Sequence, residues 1–142
     1  ETVTGLARAA FEEALEYAKS RTQGGKPICE HQSIKHKLYA MFEKVESSRY
    51  YTRKVMEHVW EKTYIEGTFD ASSRHALSAQ IYGKRSAFEV AHEAVQIFGG
   101  YGLTKDFLVE KLFRDARAGL IEDGTTEVLG LSAAYNIIQE YC

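Results

Sequence analysis

Residues 121–128 read Ile-Glu-Asp-Gly-Thr-Thr-Glu-Val. Two adjacent carboxylates, Glu122 and Asp123, meet Gly124 and Thr125 at a break in a chain that is otherwise rich in helix formers. A carboxylate at such a break has two uses. As an N-cap it accepts backbone N–H bonds from the following helix, a position Asp fills well. As a general base it removes a proton from a substrate held within hydrogen-bond reach. On residue type alone the cap is the commoner role. Three other groups offer chemistry. Arg21 ends an amphipathic stretch, where a guanidinium serves either the helix C-terminus or phosphate oxygens that match its planar fork. Gln96 sits among Ala94, Val95, Ile97 and Phe98, so its amide needs a partner if buried. Gly99-Gly100 follows, and glycine lets backbone N–H groups approach an anion closely. Finally, Glu89-Val-Ala-His92 has the Glu-x-x-His spacing of carboxylate metal bundles, which need that motif on two helices. None of His31, His36, His58 or His75 has Glu three residues before it, so only half a site exists and no metal is expected.

The elements that must position these groups are helical almost throughout. Val3, Leu6, Ala10, Ala14 and Tyr17 mark one face of a first helix, which ends near Arg21 before Gly24-Gly25 and Pro27. Ile34, Leu38, Met41, Val45, Ser48, Thr52, Val55 and Val59 alternate steps of four and three, the seam of an antiparallel bundle helix running to about Glu66 and broken by Gly67. Asp70 is placed to start a third helix with Leu77, Ile81, Phe88, Ala91, Val95 and Phe98 inward, stopped by Gly99-Gly100. A shorter helix is expected over residues 107–118 with Asp106 as N-cap, then a bend over 119–124. A last helix carries Val128, Leu131, Tyr135 and Ile138. The expected fold is all-α: an up-and-down four-helix bundle with one short extra helix and no strands.

Composition narrows the function classes. A chain of 142 residues fits one domain with a core. Hydrophobic residues at 44% and charged residues at 27% are globular values, not those of a disordered tail. A net charge of −2 gives no overall footprint for nucleic acid. No run reaches the ~18 apolar residues of a membrane span, and no signal peptide is visible. Cys29 and Cys142 lack metal or redox spacing, which points to a reducing compartment. The start at Glu1 without an initiator Met suggests a fragment of a longer protein.

Three stretches exceed bundle grammar: YAKSRTQGGKPICEHQ (17–32), AVQIFGGYGLTKDFLVEKLFRDAR (94–117) and IEDGTTEV (121–128). In this order and at these separations the sequence resembles the C-terminal helical domain of the acyl-CoA dehydrogenases, over essentially its whole length. QIFGGYG followed by VEKLFRDAR is the most specific part. The resemblance implies that residues 1–142 are the C-terminal bundle of a three-domain flavoprotein whose N-terminal helical and middle β domains are absent from this chain. It implies FAD as cofactor, with Arg21, Gln32, Gln96, Gly99, Gly100, Thr125 and Glu127 on the cofactor side, Arg21 reaching the pyrophosphate of a neighbouring subunit. Arg114, Asp115 and Arg117 are implied to be architectural.

By motif position the family's catalytic base, a glutamate before Gly-Thr, corresponds to Asp123; Glu122 precedes that position by one residue. The implied reaction is α-proton abstraction from an acyl-CoA with β-hydride transfer to flavin, giving a 2-enoyl-CoA. The implied partners are an acyl-CoA substrate, an electron-transfer flavoprotein or similar acceptor, and further copies in a homodimer or homotetramer. The implied compartment is bacterial cytoplasm or mitochondrial matrix. Two departures stand out. Gly24-Gly25 replaces the usual Phe-Gly, and Asp123 is shorter than glutamate by one methylene, roughly 1.5 Å of reach. Aspartate here also resembles nitroalkane oxidases of the same superfamily, and a non-catalytic oligomerisation module is the remaining alternative. The isolated domain is expected to be inactive alone.

Overall fold

The computed structural model describes residues 2–68 and 73–141. The expected bundle forms from the helices Thr2–Ser20 (α1), Gln32–Tyr64 (α2), Arg74–Phe98 (α3), Leu108–Gly119 (α4) and Thr126–Tyr141 (α5). Among the described residues no helix is long and apolar enough to cross a membrane. The central element is α3, which packs against α1, α2, α4 and α5. Small side chains allow that centrality. On α1 the deepest residues are Ala7, Ala10, Ala14 and Ala18, all fully buried, and α3 meets them with Ala87, Val90, Ala91 and Ala94. Short side chains on both surfaces let helices approach closely. The four-three seam of α2 is buried as expected at Met41, Val45, Ser48 and Val55. Ion pairs Lys37–Glu93 and Lys44–Glu89 stitch the exposed rim of the α2–α3 contact.

Four expectations are corrected. Strands are present: Thr22–Gln23 (β1) and Lys26–Pro27 (β2) pair antiparallel around Gly24 and Gly25. Their φ values of +64° and +79° are those of a two-residue hairpin turn, which demands left-handed backbone at both central positions. The pattern is legible only as a helix stop because each strand has two residues. The cap of α4 is Phe107, not Asp106. Phe107 packs its ring against Phe98 (centroids 5.2 Å apart) and Tyr101 (5.7 Å), so aromatic packing sets how the chain enters α4. Asp70 lies outside the described residues, as do Glu1 and Cys142; Ser73 caps α3, its Oγ accepting from the Ala76 N–H at 3.3 Å.

The fourth correction concerns α5, whose large apolar stripe faces outward. Val128, Leu131, Tyr135 and Ile138 are 57%, 73%, 64% and 56% exposed. The buried residues are Thr126 and Ala133. The helix rests on α3 through its small face, because Ala133 permits a closer approach than the bulky stripe would.

Candidate functional site

Two features carry the residues singled out in the sequence. The first is a cleft of about 820 Å³ where the ends of α1, α2 and α3 meet the hairpin. Its walls include Arg21, Gln96, Gly99 and Gly100, so four of the expected cofactor residues converge. Tyr17 stacks on Phe98 beneath it, ring centroids 4.0 Å apart and planes 17° from parallel. Arg21 follows the end of α1, its guanidinium 5.7 Å from the Tyr101 ring centroid. Among the described residues it forms no ion pair, and the lining contains no carboxylate. A guanidinium left unpaired in a carboxylate-free cleft suits an anion. Gly99 caps α3 with φ +63°, and a Cβ at Gly99 or Gly100 would meet nothing within 4 Å. The glycine pair therefore opens backbone toward the cleft as well as ending the helix. Gln96 is exposed on this wall, so no buried partner is required of it.

Gln32 opens α2 next to this cleft but does not line it; its neighbours His31 and Ser33 do. His31 escaped the sequence reading. Its Nε2 lies 2.9 Å from the Gln23 carbonyl oxygen, and its Cε1 would stand 3.3 Å from a Cβ on Gly24. The imidazole thus occupies space beside the place where a side chain on residue 24 would begin.

The second feature is the α4–α5 bend. The last turn of α4 closes through Ile121 N–H to Ala118 O (2.8 Å) and Glu122 N–H to Ala118 O (3.1 Å). Asp123 then takes φ +52°, the one left-handed non-glycine residue among those described. Aspartate visits this conformation more readily than most non-glycine residues. The residue capping α5 is Thr125, whose Oγ1 accepts from the Val128 N–H at 3.3 Å. Asp123 is therefore not the cap. Its carboxylate is exposed and makes no hydrogen bond or ion pair among the described residues. Glu127 belongs to the start of α5: its own backbone N–H and then the Thr125 hydroxyl hold its carboxyl below the usual carboxylate range. Thr125 and Glu127 are thus engaged with each other and with the helix start.

Asp123 does not line the Arg21 cleft; the two features are separate on this chain. The bend is fixed from below by Lys84, 5% exposed, whose Nζ donates to the carbonyl oxygens of Glu122 and, at 3.2 Å, of Gly124. A signal for Lys84 existed: it falls between Ile81 and Phe88 in the inward four-three pattern of α3, where a lysine needs partners. Glu89 of the half metal motif is paired with Lys44 at 2.5 Å, and His92 packs against Phe88 and Phe113. Arg114 pairs with Glu110, and Lys111 with Asp115, one turn apart along α4. These charges bridge successive turns of α4 itself rather than tying it to its surroundings, and such exposed pairs contribute little to stability.

The chain is thus an all-α bundle with a glycine-walled cleft at one end of α3 and a left-handed carboxylate corner between α4 and α5. Residues 2–138 match the profile of the acyl-CoA dehydrogenase C-terminal domain, and the chain belongs to the acyl-CoA dehydrogenase family. The 3-(aryl)acrylate reductase of Clostridium sporogenes is 34% identical over 135 residues, covering 95% of this chain and 34% of its own length. Butyryl-CoA dehydrogenase from Megasphaera elsdenii superposes with a TM-score of 0.83 at 36% identity, over 96% of this chain and 34% of that one. A chain solved in work on the electron-transferring flavoprotein of Acidaminococcus fermentans gives a TM-score of 0.84 at 31% identity, again over 96% and 34%. The chain spans about a third of the length of these relatives.

Proposed function

We propose that this domain supplies part of the FAD site and the proton-abstracting carboxylate of an acyl-CoA dehydrogenase. The observation that carries the reading is the division of labour in the bend. Thr125 caps α5, which leaves Asp123 unengaged at the tip of a left-handed corner. Backbone strain of this kind persists where surrounding contacts over-determine it, often at functional sites. Arg21 and the open Gly99-Gly100 backbone suit the diphosphate of FAD, with Gln96 beside them. When bound, FAD supplies the two-electron acceptor for a β-hydride.

Asp123 does the proton work. A thioester acidifies the adjacent α-C–H; an Asp123 carboxylate oxygen accepts that proton and holds it as the 2-enoyl thioester forms. Microscopic reversibility gives the same group the reverse task, donating a proton to the α-carbon of an enoyl substrate, the direction in which an acrylate reductase works. The relatives are about three times longer, and the exposure of Asp123 fits a pocket whose opposite wall lies outside this chain. The outward stripe of α5 fits burial against another copy in a homodimer or homotetramer, since contiguous apolar patches mark interaction surfaces. An electron-transferring flavoprotein is the acceptor this reading implies, in bacterial cytoplasm or mitochondrial matrix.

The test is anaerobic bleaching of the flavin in the intact flavoprotein by a panel of straight, branched, cyclic and aryl acyl-CoAs. Asp123→Asn is expected to retain FAD and slow reduction by about 10²–10⁴-fold, the usual contribution of a positioned base. Undiminished reduction in that variant removes Asp123 from the mechanism. Reduction by a nitroalkane and by no acyl-CoA would replace the substrate class while keeping the base.

A further inference from the structure

Lys84 is the most deeply buried ionisable group among the described residues that no part of the reaction above uses. It lies on the inward seam of α3, between the helices that carry the bend. No carboxylate pairs with it among the described residues; its partners are two backbone carbonyls. Burying an ammonium is unfavourable unless its donors are satisfied, and here two of three donors are used on one short segment. The placement of those bonds is specific. The Glu122 carbonyl belongs to the peptide unit entering Asp123, and the Gly124 carbonyl to the unit that enters Thr125, the cap of α5. Between these two tethered peptide units stand Asp123 and Gly124, both at positive φ. An untethered aspartate would relax toward negative φ, where most non-glycine residues reside, and its carboxylate would swing with the backbone.

We propose that Lys84 is a positioning residue for the base: its ammonium, by holding the peptide units that bracket the pair Asp123-Gly124, fixes the strained corner that aims the carboxylate. This rests on the assignment of Asp123 as base. A bulkier carboxylate could adjust its aim through an extra torsion; aspartate has one fewer, so its direction depends more on the backbone.

The experiment uses the intact flavoprotein. Lys84→Met removes the donors at similar length. The expected result is a normal flavin content and an acyl-CoA KM within about 3-fold of wild type. The rate of anaerobic flavin reduction should fall roughly 30–100-fold, the scale of an ångström-sized misplacement. The isotope effect for α-deuterated substrate should rise, because proton abstraction becomes more rate-limiting. Lys84→Arg, which keeps charge and donors, should recover part of the loss. In an Asp123→Asn background Lys84→Met should cost nothing further, since interacting residues are non-additive. A flavin-loaded Lys84→Met enzyme that reduces within about 3-fold of wild type overturns the proposal, as does an additive loss in the double variant. Normal reduction by Asp123→Asn alone defeats the underlying assignment instead, which separates the two failures. If Lys84→Met is recovered without flavin, Lys84→Gln is measured by the same criteria. Loss of flavin in both variants overturns the proposal in favour of a lysine that only holds the fold.

Discussion

Replacing Gly102 by alanine tests how rigidly the cleft wall is built. Gly102 is buried in the 3-10 turn Gly99–Leu103 that follows α3. An added Cβ would lie 2.8 Å from the Val95 carbonyl oxygen and 3.0 Å from both Val95 Cα and Phe98 Cβ. These atoms belong to the last turns of α3 and cannot rotate aside, so either the helix end or the 3-10 turn must shift. Overpacking of this kind costs about 1–3 kcal/mol. The loss of glycine's freedom in the unfolded chain returns roughly 0.4–1 kcal/mol. The net is a destabilisation of about 1–2 kcal/mol, or a Tm lower by about 3–8 °C at this chain length. Gly100→Ala is the comparison. Its Cβ meets nothing within 4 Å, so Tm should hold or rise slightly, yet its methyl would stand in the cleft. Loss of close backbone approach to an anion should weaken FAD retention about 10-fold, the scale of one charge-assisted bond. Calorimetry of the 142-residue domain measures the first effect, and release of flavin fluorescence from the intact protein measures the second. A Gly102→Ala melting within 1 °C of wild type would show a yielding turn. Wild-type flavin retention in Gly100→Ala would reduce the glycine pair to a helix stop.

Arg21→Ala should raise the FAD dissociation constant at least about 10-fold through loss of a phosphate-suited fork, while Tm without cofactor changes little because exposed substitutions usually stay within ~0.5 kcal/mol; fluorescence titration of apoprotein checks the first and calorimetry the second. Glu127 has a depressed folded pKa, so its stabilising contribution is present above the unfolded carboxyl value of about 4.3 and is lost as pH falls through the lower folded value. Glu127→Gln should therefore lower the urea midpoint at pH 7, by an amount that shrinks as pH falls below the unfolded carboxyl value; a loss independent of pH would contradict that linkage.

The helices were legible because their apolar periods are long and regular, as at Met41, Val45 and Ser48 of α2. The hairpin at Gly24-Gly25 was not, since two-residue strands carry no alternation. Nor was the orientation of α5, where the bulky stripe and the small face are both consistent with a helical period and only packing on α3 chooses between them. Arg21, Gln96 and the glycine pair, which line one cleft, stood out only through the motif resemblance, because a cation and a glycine are ordinary at a helix C-terminus. His31 was missed because its place depends on the hairpin returning Gln23 beside it. The role of Thr125 was missed because Asp and Thr are both good caps, and the left-handed turn at Asp123 decides which of them caps.

One element accounts for most of what positions the chemistry. The C-terminal end of α3 supplies Gln96, Gly99 and Gly100 to the cleft, and its middle supplies Lys84 to the bend. Between them lies the tightly packed run Ala87, Val90, Ala91 and Ala94, all 1% exposed or less, locked against the alanines of α1. Sites held on rigid elements are more precise than sites held on loops. A close-packed helix interior transmits displacement rather than absorbing it. A substitution that enlarges a residue in this run, far from either feature, should therefore disturb the Arg21 cleft and the Asp123 corner together, whereas changes on the exposed stripe of α5 should leave their relative placement untouched.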